Sequence, residues 1–84
     1  MTPVRTEYSN VTFRAEGCID LPGTAVTNPD GFPEVETCWE LTDAELEQIT
    51  KERRIYLYTM GRSVPPMFLS AVSLLRFGGE PDEI

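Results

Sequence analysis

Eighty-four residues carry 14 acidic and 7 basic side chains, for a net charge of −7, and no histidine at all. The length allows one domain, and the acidic excess disfavours an ordinary binder of duplex nucleic acid, which needs a cationic footprint. Without histidine the chain lacks the commonest general base and metal ligand, and every Ser-His or Cys-His nucleophile pair.

Residues 1–9 read as a loose arm or edge segment. Met1-Thr2-Pro3-Val4-Arg5 leads into polar sequence rather than an apolar signal core, so a soluble, intracellular chain is expected. The near-apolar run Val64–Leu75 is too short to span a bilayer and carries Ser70 and Ser73, so no membrane association is expected. Val11 to Glu16 alternates, with Val11, Phe13 and Ala15 on one side, and reads as a strand ended by Gly17. Asn10-Val11-Thr12 fits a glycosylation sequon, a chance match in a chain without a secretory signal.

Gly17, Pro22, Gly23, Pro29, Gly31 and Pro33 mark residues 17–33 as a long loop, serving either as connector or as functional contact. Within it Asn28-Pro29-Asp30-Gly31 is a turn: proline pre-sets φ and glycine tolerates the exit. Glu34 to Leu41 alternates strictly. Val35, Thr37, Trp39 and Leu41 share one face, read as the core side. Glu34, Glu36, Cys38 and Glu40 share the other.

A helix is predicted from Thr42, whose hydroxyl can accept from the Glu45 amide while Glu45 reaches back to the Thr42 amide. Leu41 and Leu46 sit at the spacing of a hydrophobic staple. Acids at 43 and 45 and bases at 51, 53 and 54 complement the helix dipole. Ile55 to Met60 reads as a strand with bulk on both faces, and Met67 to Phe77 as a second, joined in a hairpin through Met60-Gly61-Arg62-Ser63-Val64-Pro65-Pro66. Residues 78–84 form a polar, acidic tail, expected to be flexible.

The expected fold is therefore α+β: a small antiparallel sheet of about four strands with one capped helix packed on one face, in β-β-α-β-β order, forming a single domain over residues 1–77. One narrow helix cannot cover both sides of the 55–60/67–77 hairpin. Either the N-terminal half sandwiches it, or one side is an oligomer interface. The second is favoured, so a homo-oligomer is expected. Cys18 and Cys38 do not make a disulfide framework. They are read as two buried thiols, with a bridge between them left open.

Charge divides the chain. Nine acids and no base lie between Glu16 and Glu47; five bases and one acid, Glu52, lie between Lys51 and Arg76. Glu34, Glu36 and Glu40 lie on one strand face without apolar company to raise a pKa. They suit a solvated face or a protein-interaction surface rather than acid–base catalysis. No metal-binding spacing is present, Gly78-Gly79 precedes no helix, and Cys38 has no base partner. No catalytic residue, metal or cofactor is expected. The candidate ligand site combines Arg62, a planar cation on a stiff loop before Pro65 and Pro66, with Trp39, Tyr56 and Tyr58, whose rings could stack on a nucleotide-like ligand.

At these residues the chain resembles small uncharacterised accessory proteins of tailed bacteriophages, which share a Cys/Tyr-Trp, Glu-Leu, Gly and Pro-Pro pattern. The matching positions are Cys38-Trp39, Thr42-x-x-Glu45-Leu46, Ile55-x-Leu57, Gly61 and Pro65-Pro66, with Gly17-Cys18-x-x-Leu21-Pro22 similar as well. The resemblance covers about two-thirds of the chain. It departs at Val64, where a histidine often precedes the prolines, and at Arg54, where a glycine often precedes the strand. No ligand role resting on that histidine carries over. The resemblance implies a compact phage accessory protein in the host bacterial cytoplasm, and the lack of histidine points to a non-enzymatic one. It would inhibit a host defence factor by binding a host protein, or by sequestering a small signalling nucleotide. The alternative is a virion or tail-associated component assembling through the apolar hairpin.

Overall fold

In the computed structural model, which describes residues 1–83, the elements are β1 (Thr2–Val4), β2 (Val11–Phe13), β3 (Leu21–Thr27), β4 (Pro33–Glu36), β5 (Cys38–Glu40), α1 (Asp43–Glu52), a 3-10 turn (Leu74–Phe77) and β6 (Glu80–Pro81). The class is the expected α+β, with small antiparallel sheets and a single capped helix. The order differs from expectation, since five strands precede the helix and one follows it.

The organising strand is β3, which lies inside the stretch read from sequence as a long loop. It pairs antiparallel with β2 (Val11 opposite Gly23), with β4 (Ala25 opposite Val35) and with β6 (Val26 opposite Pro81). Proline and glycine hide this strand from a sequence reading, yet each has a place in it. At Pro22 only β2 borders the strand, because β4 pairs from Thr24 to Thr27. A missing amide is tolerated at such an edge. Gly23 is buried, and a Cβ there would lie 3.2 Å from the Glu36 carbonyl and 3.3 Å from Phe13 and Val35 side-chain atoms. A strand crossing this close needs glycine.

β2 and β6 lie on the same side of β3, end to end, and the Asn10 side chain fills the gap between them. Its Oδ1 accepts from the Ala25 amide at 2.7 Å, and its Nδ2 donates to the carbonyls of Ala25 (3.2 Å) and Asp82 (3.1 Å). The amide group thus stands in for a missing peptide unit of the ladder. This occupation also removes Asn10 as a glycan acceptor in the folded chain. The segment expected to be a flexible acidic tail is tied down over its described part. Asp82 N–H donates to the Ala25 carbonyl at 2.8 Å, and Thr27 Oγ1 donates to the Asp82 carboxylate at 2.9 Å. Ile84 lies outside the described residues. The expected Asn28–Gly31 turn forms: Asn28 Oδ1 accepts from the amides of Asp30 and Phe32, and Gly31 takes φ 88°.

The strand expected from Glu34 to Leu41 breaks at Thr37. Its first half pairs with β3, its second with β1. The regular alternation hides this change of partner, and its apolar face is not a core. Val35, Trp39 and Leu41 are all exposed. Among the described residues Val26 is the single fully buried large side chain.

The largest departure is after the helix. Ile55–Met60 and Met67–Phe77 are not paired strands. Residues 53–72 have no regular secondary structure, and the last part of the run is a 3-10 turn. Alternation makes a strand only where a neighbour supplies the ladder bonds, and among the described residues of this chain none does. The apolar side chains stay in solvent, Tyr58 at 91% and Met60 at 98% exposure. The consequence is global. The accessible surface is 7391 Å², against about 5,050 Å² for a folded monomer of this mass. The radius of gyration is 14.1 Å, against about 12 Å for a compact chain of this length.

Candidate functional site

α1 starts as its sequence dictates. The Glu45 amide donates to Thr42 Oγ1 at 3.2 Å and the Thr42 amide to the Glu45 carboxylate at 2.9 Å, closing the capping box. It ends at Arg53 in the left-handed conformation, φ 57°. The helix has no buried residue, and Ile49 is half-buried while Leu46 is exposed. It therefore rests lightly on the rest of the chain and keeps its acidic side in water.

A second contact anchors its first turn. The Met1 ammonium donates to the other Glu45 carboxylate oxygen at 2.5 Å, which ties the start of β1 to the helix. That ammonium, and then the Thr42 amide, hold the Glu45 carboxyl at about 2, against an ordinary 4.5. A group with a depressed native pKa contributes its stability above the unfolded value and loses it as pH falls through the folded one. The β1–helix contact is thus expected to be intact above pH 4.5 and to fade between about 4.5 and 2. A carboxyl-carbon NMR titration checks this. A Glu45 midpoint at the ordinary value would contradict it.

Pairing of β1 with β5 places Thr2 opposite Glu40 and Pro3 opposite Trp39. Where β5 turns into the helix, Thr2, Val4, Glu40, Leu41 and Thr42 line an open concavity of about 290 Å³. Val4 and Leu41 give it apolar surface, and the exposed Glu40 gives it a carboxylate. Leu41 in its lining is exposed, and exposed Asp43 and Glu47 follow on the helix, one turn apart, whereas Trp39, opposite Pro3, belongs to the other face of the β1–β5 ribbon. The Trp39 indole donates to Thr37 Oγ1 at 3.0 Å, so its polar edge is satisfied while its ring is available. Apolar and acidic surface side by side in a groove is suited to a partner presenting long basic side chains, whose stems lie on the apolar part while their heads meet a carboxylate.

The other expected interaction carboxylates behave differently. Glu34 is exposed and accepts from Asn28 Nδ2 at 2.9 Å. Glu36 is turned inward. It accepts from Ser73 Oγ at 2.8 and 3.0 Å and from the Leu74 amide at 2.7 Å, capping the 3-10 turn. The row of three is thus divided between structure and surface.

Of the expected ligand residues, Trp39 lies on β5, while Tyr56, Tyr58, Arg62, Pro65 and Pro66 lie exposed on the irregular segment 53–72. They line neither the groove at Glu40 nor a second concavity of about 190 Å³ bounded by Phe13, Arg14, Ala15, Cys18, Ile19 and Leu21. Cys18 and Cys38 are free and both exposed, so neither the buried-thiol reading nor the bridge holds. What a sequence reading misses here is β1. Three residues at the start of a polar arm give little periodicity, yet Thr2 and Val4 build one side of the groove. Among the described residues no helix is long and apolar enough to cross a membrane. No family model, no curated protein and no solved structure matches this chain.

Proposed function

We propose that this chain is a non-enzymatic accessory protein that inhibits a host defence factor by laying its β1–β5–α1 face on a basic surface of a host protein in the bacterial cytoplasm. The phage setting rests on the resemblance of the Cys38-Trp39, Glu45-Leu46, Gly61 and Pro65-Pro66 pattern. The observation that carries the binding reading is the groove at Glu40, where Val4 and Leu41 bring apolar surface beside an exposed carboxylate. The reading assigns no catalytic step to the chain, whose sequence holds no histidine to serve as a general base. Sequestration of a nucleotide is less well supported, because its residues are spread along an irregular segment. Assembly into a virion through the apolar segment 55–72 is a second reading, favoured by the exposure of that segment. It requires many copies of the chain in purified particles.

Charge reversal at the groove tests the first reading. Glu40→Lys with Asp43→Lys places cations against a basic partner, a juxtaposition that costs several kcal/mol at an interface. Capture of the host protein from lysate is expected to weaken by about a hundredfold, while the chain stays folded, because both side chains are exposed and a cation in the first helical turn costs only about 1 kcal/mol. Undiminished capture by the folded variant rules the groove out.

A further inference from the structure

We infer that residues 54–72 dock along the open edge of β4 in a second copy of this chain, each copy giving its segment to the other across a two-fold axis. This surface is separate from the groove at Glu40, and the inference does not depend on a host partner.

The donor is the segment after the helix. Ile55, Tyr56, Leu57, Tyr58, Met60 and Phe68 are all exposed. The run is rich in aromatic and aliphatic residues of high strand preference, without a strand partner in its own subunit. The acceptor is β4. The Ala25 amide donates to Asn10 Oδ1, and the Ala25 carbonyl accepts from the Asp82 amide, so both point away from β4. Val35 lies opposite Ala25, and in an antiparallel ladder its own amide and carbonyl must then face outward. Among the described residues β3 is the only strand that β4 pairs with. The outer edge is therefore a short unpaired template of the kind that accepts an added strand.

Three observations select a second copy as the occupant. First, charge: Lys51, Arg53, Arg54 and Arg62 flank the donor strand, whereas the acceptor edge carries exposed Glu34 and lies in a stretch, Glu16–Glu47, without a base. Each copy holds both signs, so a two-fold pair satisfies both at once. Second, area: the surface of 7391 Å² exceeds that of a compact monomer by roughly 2,300 Å². An excess of this size suits the large interface of an obligate homodimer, which buries roughly 1,000–2,500 Å² per subunit. Third, the core: among the described residues Val26 is the single fully buried large side chain, so their apolar burial is slight without a partner.

Sedimentation equilibrium of the full chain at micromolar concentration is expected to give twice the 9.5 kDa subunit mass, with dissociation promoted by salt. Val35→Pro removes the outward amide that the added strand needs. It breaks no bond within the subunit, because that amide faces away from β3. Leu57→Asp places a charge in the donor segment at a position exposed in the subunit. Each is expected to raise the dimer dissociation constant at least about tenfold with an unchanged circular dichroism spectrum. A monomeric wild type overturns the inference, and so does a wild-type dimer in either folded variant. Should Val35→Pro unfold, Leu57→Asp decides alone.

Discussion

Replacing Asn10 by alanine is expected to destabilise the chain by about 3 kcal/mol, a large share of what so small a domain possesses. The side chain makes three hydrogen bonds, to the Ala25 amide, the Ala25 carbonyl and the Asp82 carbonyl. Alanine leaves the Ala25 amide without its acceptor in a half-buried position, and that penalty exceeds the ordinary net worth of a bond. It also opens the junction where β2 and β6 meet along β3. Asn10→Asp is expected to be as damaging at neutral pH. Its carboxylate still accepts from Ala25, but it cannot donate and would face two carbonyls. Urea unfolding followed by fluorescence of Trp39, the sole tryptophan, measures the change. Amide exchange at Ala25 should quicken in both variants. A loss below about 1 kcal/mol in both would show that water replaces the amide group and that the junction is not held by it.

Glu36→Ala is expected to release the segment that follows residue 72, at a cost of about 2–3 kcal/mol. The carboxylate takes the Ser73 hydroxyl and the Leu74 amide together. Bonds to a charged acceptor are the stronger kind. Behind the 3-10 turn the chain enters a tight place. Gly79 is buried, and a Cβ there would lie 3.0 Å from both Leu74 and Val26 side-chain atoms. Loosening the turn therefore loosens the cover over Val26 and the short strand β6. Glu36→Gln keeps one acceptor oxygen and should lose about half as much. Hydrogen exchange over residues 73–82, or limited proteolysis after residue 70, reports the release. Wild-type protection of that segment in Glu36→Ala would mean that β6 pairing alone holds it.

Local chemistry was legible and partnership was not. The capping box of Thr42 and Glu45, the Asn28–Gly31 turn and the strand at Val11–Phe13 follow from residues within a few positions of one another. Short-range rules suffice for these. β3 was hidden because Pro22 and Gly23 are breakers by local preference, and only the neighbours β2 and β4 reveal why each fits. The break at Thr37 was hidden because strict alternation continues through it while the pairing partner changes. Glu36 looked like its neighbours Glu34 and Glu40; what sets it apart is Ser73, thirty-seven positions later. Half of the groove was equally out of view, since Thr2 and Val4 acquire a role only by pairing with β5.

By itself the sequence determined the helix and its cap, the division into an acidic and a basic stretch, and the presence of an apolar run too broad for one helix to cover. These depend on side-chain type and on spacings of a few residues. The tertiary structure decided which strands pair, that Asn10 completes the ladder of β3, that Glu36 turns inward and Glu40 outward, and that residues 53–72 stay unpaired within the subunit. Those outcomes depend on hydrogen-bond partners far apart in the chain, and no local preference encodes which of two identical carboxylates will meet them.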